Sequence, residues 1–290
     1  MRAEQGRGSS WDLPTWPRRT TLLVCAVAPV VVATGVTAHY GLVPAAKSLA
    51  ALGVTVALGF GLLGIRQRSR ERDRALSRLP GVPALGQLPR SAVLWLALAL
   101  VLGFWLAATT AWWLLAVGVL GVAAAIALGH APNSGQAIGR DQLALVAAAD
   151  LLAGWGTLVV ELGRLTWLGL VAAVLPASLA TALLILAAMR ARSTGPEGGR
   201  FGAVAGLSER GSRILCQGLL VLSLAVPLLI TIPGLDGAEC FLPWLLAPLA
   251  EGPLRNSRSA DLALRERAVR QTALLLLASS TLLAVGIWTG

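Results

Sequence analysis

Arginines and acids suited to phosphate or metal chemistry are concentrated in two polar stretches of the chain. In GLLGIRQRSRERD, residues 61–73, an apolar run leads directly into alternating arginines with two acids among them. A second stretch, residues 190–213, contains Arg190 and Arg200. Paired carboxylates can hold Mg²⁺ against a phosphate, whereas guanidinium groups bind phosphate directly through paired hydrogen bonds. These two stretches therefore indicate phosphate chemistry as the first function to consider.

The acids of these stretches are poorly placed to share a metal ion. Glu71 and Asp73 are two residues apart, and such residues point about 200° away from each other on a helix. Glu197 is alone in a Gly-Pro turn, and neither stretch contains an Asp-x-x-x-Asp pattern. The three cysteines and two histidines are scattered, which argues against a His/Cys metal site. We therefore expect no metal site and no cofactor.

The arginines between residues 66 and 78 have two interpretations. In the simpler one, they anchor the chain to anionic lipid headgroups, at about 1 kcal/mol for each basic residue. In the sharper one, Arg68 binds the phosphate of a ligand together with Arg190 and Arg200, without a metal ion. The sequence leaves both open.

Asp150 lies in the middle of the apolar segment LVAAADLLAGWG. A carboxylate at that depth in a membrane costs a few kcal/mol, so it usually has an internal partner. One interpretation is that Asp150 orients a quinone-like headgroup or takes part in a proton path. The other is that a neutral, hydrogen-bonded Asp150 holds its helix against a neighbour.

The composition places these residues in a membrane protein. The chain has 290 residues, of which 56% are hydrophobic and only 13% are charged, and its mean hydropathy is +0.73. A soluble domain has about 25% charged residues, and about 20 apolar residues suffice to cross a bilayer. The net charge is +10, and the basic residues lie between the apolar blocks. We therefore expect membrane lipids and no nucleic acid as partners.

We predict an all-α bundle of nine transmembrane helices. The predicted spans are 20–40, 44–65, 91–109, 112–129, 142–161, 165–189, 212–232, 237–250 and 269–288. With this count, all but two of the 24 basic residues fall on one side, and Lys47 and Arg164 lie on the other. The charge asymmetry predicts a bacterial inner-membrane protein with its N-terminus in the cytoplasm and its C-terminus outside. The short eighth span contains Pro243 and Pro248, so we expect it to be tilted, kinked or partly re-entrant.

The predicted domain organisation is simple. Residues 1–19 form a cytoplasmic N-terminal segment, and residues 20–290 form a single transmembrane domain. Long inner loops, 66–90 and 190–213, follow the second and sixth spans, which indicates a duplicated unit of four spans. The outer connections are short, so any activity outside the bilayer is expected on the inner face.

This plan resembles that of the UbiA-type intramembrane prenyltransferases. The sequence TWPR at residues 15–18, followed by TLLVCAVAPVVVATG, resembles the entry to the first helix in the 1,4-dihydroxy-2-naphthoate branch, which serves menaquinone synthesis. The run GHAPNSGQAIGRDQLALVAAADLLAGWGTLVV, residues 129–160, resembles that branch from its fourth helix to the end of its fifth. The resemblance covers most of the chain and depends on spacing and small residues more than on a strict motif.

The resemblance implies two aspartate motifs, at the ends of the second and sixth helices, that hold Mg²⁺ against a prenyl diphosphate. The metal is needed because a diphosphate leaves only when its developing charge is neutralised. Arg190 and Arg200 match basic positions of the family. Other residues occupy the family's aspartate positions here: Ile65 and Arg68 in the first motif, and Ala191 and Gly195 in the second. Under this alignment, both metal-binding pairs are absent.

The leading interpretation is a UbiA-type protein that is catalytically degenerate. It would bind an isoprenoid, quinone, pigment or other lipid in the former substrate cavity, or serve as a membrane subunit of a complex. The alternative is an active enzyme, with Mg²⁺, that transfers a polyprenyl group from a prenyl diphosphate to an aromatic acceptor in menaquinone-type quinone biosynthesis. Whether the chain is an enzyme stays open. A transporter is disfavoured because the spans offer little polar lining apart from Asp150.

Overall fold

The computed structural model describes residues 16–76, 89–130, 140–193, 207–231, 238–256 and 261–290. These residues form ten α-helices and one 3₁₀ helix, and no β-strand occurs among them. The helices are α1 (Trp16–His39), α2 (Ala45–Leu76), α3 (Arg90–Thr109), α4 (Leu114–His130), α5 (Arg140–Leu162), α6 (Trp167–Ala172), α7 (Val174–Ser193), α8 (Glu209–Thr231), the 3₁₀ helix (Ala238–Leu246), α9 (Ala247–Asn256) and α10 (Leu262–Thr289).

Each of the nine predicted spans coincides with a helical segment of the described residues, so the prediction of an all-α membrane bundle is confirmed. Six of these segments are long and apolar enough to cross a membrane. The apolar stretches Leu23–His39 and Leu114–Ala123 are shorter. Of the predicted N-terminal segment 1–19, residues 1–15 lie outside the described residues, and the remainder begins α1.

The predicted sixth span consists of two helices, α6 and α7, which meet at Ala173. Pro176 explains the break because it has no N–H to donate to the carbonyl of Ala172, four residues earlier. The segment Trp167–Met189 has the largest buried share of the six candidate spans. It therefore forms an interior wall of the bundle.

Both predicted inner loops are partly helical. The arginine-rich sequence after residue 65 continues α2 as far as Leu76, which is consistent with the good helix propensity of Arg, Gln and Glu. The second loop, predicted at 190–213, is shortened at both ends because α7 extends to Ser193 and α8 begins at Glu209. The charged residues at these ends are thus carried on extensions of the membrane helices.

Helix α1 lies at the centre of the bundle, where it packs against α2, α5, α7 and α10. Helices α2, α3 and α4 form a group on one side of it, while α5, α7, α8 and α10 form the larger core on the other. A side chain at Gly35 of α1 would collide with the backbone of Ala284 in α10. The two helices therefore approach each other at a distance that only glycine permits.

The predicted eighth span runs from Ala238 to Asn256 as the 3₁₀ helix followed by α9. The indole of Trp244 donates a hydrogen bond of 2.8 Å to the carbonyl oxygen of Leu224 in α8. On the other side, Gly286 of α10 leaves room for the backbone carbonyl of the 3₁₀ helix. This irregular segment is therefore held between α8 and α10.

Candidate functional site

The three arginines predicted to meet a phosphate fall at or near the ends of α2 and α7. Arg68 lies in the extension of α2, and Arg190 lies in the last turn of α7. The side chains of both are outside the described part of the structure. Arg200 lies outside the described residues altogether. Their role in binding a phosphate stays a prediction.

Ile65, which the resemblance places at an aspartate position, is buried against α3. Only 2% of its surface is exposed, and it packs in one cluster with Ala92 and Leu96. A side chain at Gly64 would also contact Ala92. A carboxylate at position 65 would therefore lie in an apolar contact with α3. It would be directed toward α3 and not toward a metal ion.

The best-defined polar group at this end of the bundle is built around Arg265 of α10. Its guanidinium donates a hydrogen bond of 3.0 Å to the backbone carbonyl oxygen of Met189, near the end of α7. A second bond of 2.9 Å joins it to the Glu209 carboxylate at the start of α8. The Arg265 side chain is only 9% exposed. One buried cation thus ties together the ends of three helices.

The Glu209 carboxylate is shared between two arginines. Its Oε1 atom accepts hydrogen bonds from Arg265 and from Arg213, one turn further along α8. Two guanidinium groups neutralise the carboxylate, so it is a poor ligand for a divalent cation. The described residues contain no group of three His, Cys, Asp or Glu side chains that could hold a metal ion.

In the sequence alone, Arg265 is one of several basic residues before the last span. A signal was present, because Arg265 shares a helix face with the buried residues Ala268, Val269 and Thr272. Arg270, by contrast, is mainly exposed and pairs with Glu266, one turn earlier. Helical periodicity therefore separates the buried arginine from the solvated ones.

Asp150 lies in the middle of α5 and faces α1. It is close enough to the Cys25 thiol for the two groups to interact electrostatically. Its Oδ2 atom is buried and has no hydrogen-bond partner among the described residues. One turn further on, a side chain at Gly154 would touch Pro29 and Ala173, so α1 and the α6–α7 segment are both near. Asp150 is thus a polar group between α5 and α1, close to the α6–α7 segment.

Glu161, near the end of α5, is a second buried acid that sequence reasoning missed. It is 6% exposed, and its Oε1 atom accepts a hydrogen bond of 3.1 Å from the hydroxyl of Thr34 in α1. Its Oε2 atom is buried and has no hydrogen-bond partner among the described residues. Because eleven residues make about three helical turns, Glu161 and Asp150 share a face of α5. In the sequence, this eleven-residue spacing was the signal that could have identified Glu161 as a second inward-facing acid.

Two mycobacterial proteins are similar in sequence to most of this chain. The chain is 32% identical over 257 residues to the 1,4-dihydroxy-2-naphthoate octaprenyltransferase of Mycobacterium tuberculosis (strain ATCC 25618 / H37Rv), covering 83% of this chain and 85% of the relative. It is also 32% identical over 253 residues to the protein of the same name in Mycobacterium leprae (strain TN), with 83% and 84% covered. No family model matches the chain.

The fold is similar to the solved structure of a digeranylgeranylglyceryl phosphate synthase. The TM-score is 0.61, and the match covers 94% of this chain and 99% of the other. Sequence identity over this match is 11%, so it establishes a shared fold alone.

Proposed function

Because the chain belongs to the UbiA-type membrane prenyltransferase superfamily, we propose that it is an integral membrane protein that keeps this fold without the metal-dependent transfer reaction. The observation that carries the proposal is the spacing of the acids at the ends of α2 and α7: Glu71 and Asp73 are two residues apart on α2. No two acids four residues apart occur in the chain, and α7 contains no acid at all. A prenyl diphosphate bound there would lack carboxylates four residues apart to hold Mg²⁺ against the leaving group.

The polar group around Arg265 supports the same proposal. At the end of α7, the carboxylate of Glu209 is already bound by two arginines, and the carbonyl of Met189 accepts a hydrogen bond from Arg265. The group stabilises the junction of α7, α8 and α10 by itself. It needs no metal ion for charge balance.

The expected ligand is an isoprenoid chain, a quinone, a pigment tail or another membrane lipid. Arg68, Arg190 and Arg200 are the groups assigned to a phosphate or polar headgroup at the arginine-rich end. Asp150 is assigned to a headgroup deeper in the bundle, because its Oδ2 atom has no partner among the described residues. In this proposal, the chain resides in a bacterial inner membrane with its N-terminus in the cytoplasm, and it binds lipids or a larger membrane complex.

The competing function is an active prenyltransferase in menaquinone-type quinone biosynthesis. The two mycobacterial relatives favour it, because both are named as octaprenyltransferases and align with most of this chain. It requires that groups outside the aligned aspartate positions supply the metal ligands. Glu71, Asp73 and Glu197 are the nearby acids in the sequence.

The test is a Mg²⁺-dependent transfer assay on the purified full chain in detergent, with labelled prenyl diphosphate and dihydroxynaphthoate. The Mycobacterium tuberculosis relative, purified in the same way, is the positive control. We expect no product from this chain under conditions in which the relative turns over. Mass spectrometry of the co-purified lipids is expected to detect a stoichiometric isoprenoid, quinone or pigment.

Product above the no-enzyme background would overturn the proposal. The variants Glu71→Gln, Asp73→Asn and Glu197→Gln would then identify the replacement ligands, since loss of the activity with one of them marks an acid that it needs. Absence of both product and bound lipid, in a sample that is folded by circular dichroism, would also contradict the lipid-binding role.

A further inference from the structure

We propose that Asp150 and the backbone carbonyl of Cys25 form a binding site for one hydroxyl group of a lipid, carried by an isoprenoid alcohol or a hydroquinone. This Asp150–Cys25 site lies between α1 and α5. The inference rests on the proposed lipid-binding function and narrows it, because the ligand must donate a hydrogen bond. A quinone or a hydrocarbon tail has no such donor.

The first support is the alignment of α1 with α5. The carboxyl group of Asp150 is close enough to the Cys25 thiol for the two to interact electrostatically. One turn further along both helices, a Cβ atom at Gly154 would lie 3.7 Å from Pro29. The two helices therefore keep one register over this turn, which places Asp150 beside the segment of α1 from Cys25 to Pro29.

The second support is a hydrogen-bond donor that this segment of α1 lacks. Pro29 lies inside the helix and has no N–H. In a regular α-helix, that N–H would bind the carbonyl oxygen four residues earlier, which is the carbonyl of Cys25. Within a membrane, a carbonyl without its helical donor has to be satisfied by a neighbouring group. Helix α1 thus presents an acceptor to Asp150, which is itself an acceptor.

The third support is the shortage of donors around these two acceptors. The buried Oδ2 atom of Asp150 has no hydrogen-bond partner among the described residues. An ionised carboxylate can only accept, and a protonated one has a single hydrogen, which can satisfy the carbonyl but leaves the second carboxyl oxygen without a donor. The Cys25 thiol is a weak donor. In either state a strong donor is missing, and a ligand hydroxyl group supplies one.

The Asp150–Cys25 site can be reached by a ligand. Residues 23–27 of α1 and 150–153 of α5 are all partly exposed, whereas residues 28–30 and 157–161 are buried. The two helices are therefore closely packed toward Glu161 and more open around Asp150 and Cys25. A lipid can enter from the open part, and the buried Gly154 marks the closed end.

The test measures ligand binding to the purified full chain in detergent by equilibrium dialysis. The probes are two matched pairs that differ in their hydroxyl groups: geranylgeraniol with its methyl ether, and a short-chain menaquinol, kept reduced with dithionite, with its dimethyl ether. We expect the hydroxyl-bearing member of at least one pair to bind about ten-fold more tightly, because the ether leaves the acceptors without a donor. The pair that shows this preference identifies the ligand as an alcohol or a hydroquinone.

Equal binding within both pairs, or no binding of either hydroxyl-bearing probe, would overturn the inference. A lipid that co-purifies with the chain would still support the lipid-binding role in that case. Failure of this inference is therefore distinct from failure of the proposed function.

Variants of the two acceptors give a second readout. Pro29→Ala supplies the N–H that the Cys25 carbonyl lacks, so we expect it to weaken binding of the hydroxyl-bearing probe several-fold and to leave the ether unchanged. Asp150→Asn introduces a donor and is expected to reduce the preference in the same way. Pro227→Ala is the matched control, because Pro227 also lies inside a helix, α8. If both acceptor variants keep the preference that this control shows, the two groups are not ligands and the proposed site is wrong.

Discussion

Replacing Arg265 with methionine tests whether the buried guanidinium holds the ends of α7, α8 and α10 together. Methionine keeps most of the apolar stem, so the change mainly removes two hydrogen bonds. The bond from a charged donor to the Met189 carbonyl contributes about 1.5–3 kcal/mol, because it is buried. The bond to Glu209 contributes about 0–1 kcal/mol, because that carboxylate is 37% exposed. We therefore expect Arg265→Met to lower the free energy of unfolding by about 1.5–4 kcal/mol.

The measurement is reversible unfolding in mixed micelles with increasing dodecyl sulfate, followed by the fluorescence of the ten tryptophans. Arg270→Met is the matched control on the same helix. Arg270 is 66% exposed and pairs with Glu266 one turn earlier, so its loss is expected to cost about 0.5 kcal/mol or less. Arg265→Lys is expected to fall between the two, because an ammonium keeps the charge but lacks the planar fork.

Equal shifts for Arg265→Met and Arg270→Met would refute this reasoning. In that case, the hydrogen bonds of buried Arg265 would contribute no more to the free energy of unfolding than an exposed ion pair within one helix does. A loss of stability in Arg265→Met alone would instead support the role of the buried guanidinium in holding the ends of α7, α8 and α10 together.

Three further variants test the packing of the described residues by the same unfolding measurement. Gly286→Ala is expected to cost about 1–3 kcal/mol, because its Cβ would collide with the 3₁₀ backbone, whereas Gly218→Ala has open space and should be neutral or stabilising. Equal effects would contradict the close contact. Trp244→Phe should cost about 1 kcal/mol through loss of its indole hydrogen bond, and Trp288→Phe, at an exposed site, should cost less. Ile65→Asp should destabilise the protein by several kcal/mol without creating Mg²⁺ affinity, and Mg²⁺-dependent stabilisation would contradict the orientation of this residue toward α3.

The membrane helices could be predicted from the sequence because each span has a strong local signal. Apolar length locates the helices, and the arginines mark the segments between them. The break between α6 and α7 has an equally local cause in Pro176. The extension of α2 to Leu76 was missed because charged residues were read as a loop, although their helix propensity is good.

The contacts within the candidate sites could not be predicted from local sequence patterns. The hydrogen bond from Thr34 to Glu161 joins residues 127 positions apart, and the one from Arg265 to Met189 joins residues 76 positions apart. Such partners are fixed by the arrangement of whole helices, which a local pattern does not encode. Periodicity could have predicted that Glu161 and Arg265 are buried, but not which groups they meet.

The 3₁₀ helix determines how far the segment between α8 and α10 can reach. Its nine residues rise about 18 Å at about 2.0 Å each, and the ten residues of α9 add about 15 Å. The summed length along the two helices is about 33 Å, whereas the same residues in a regular α-helix would reach about 28 Å. The tighter but more extended 3₁₀ winding thus lengthens this segment, so its reach depends on its hydrogen-bond pattern as well as on its residue count.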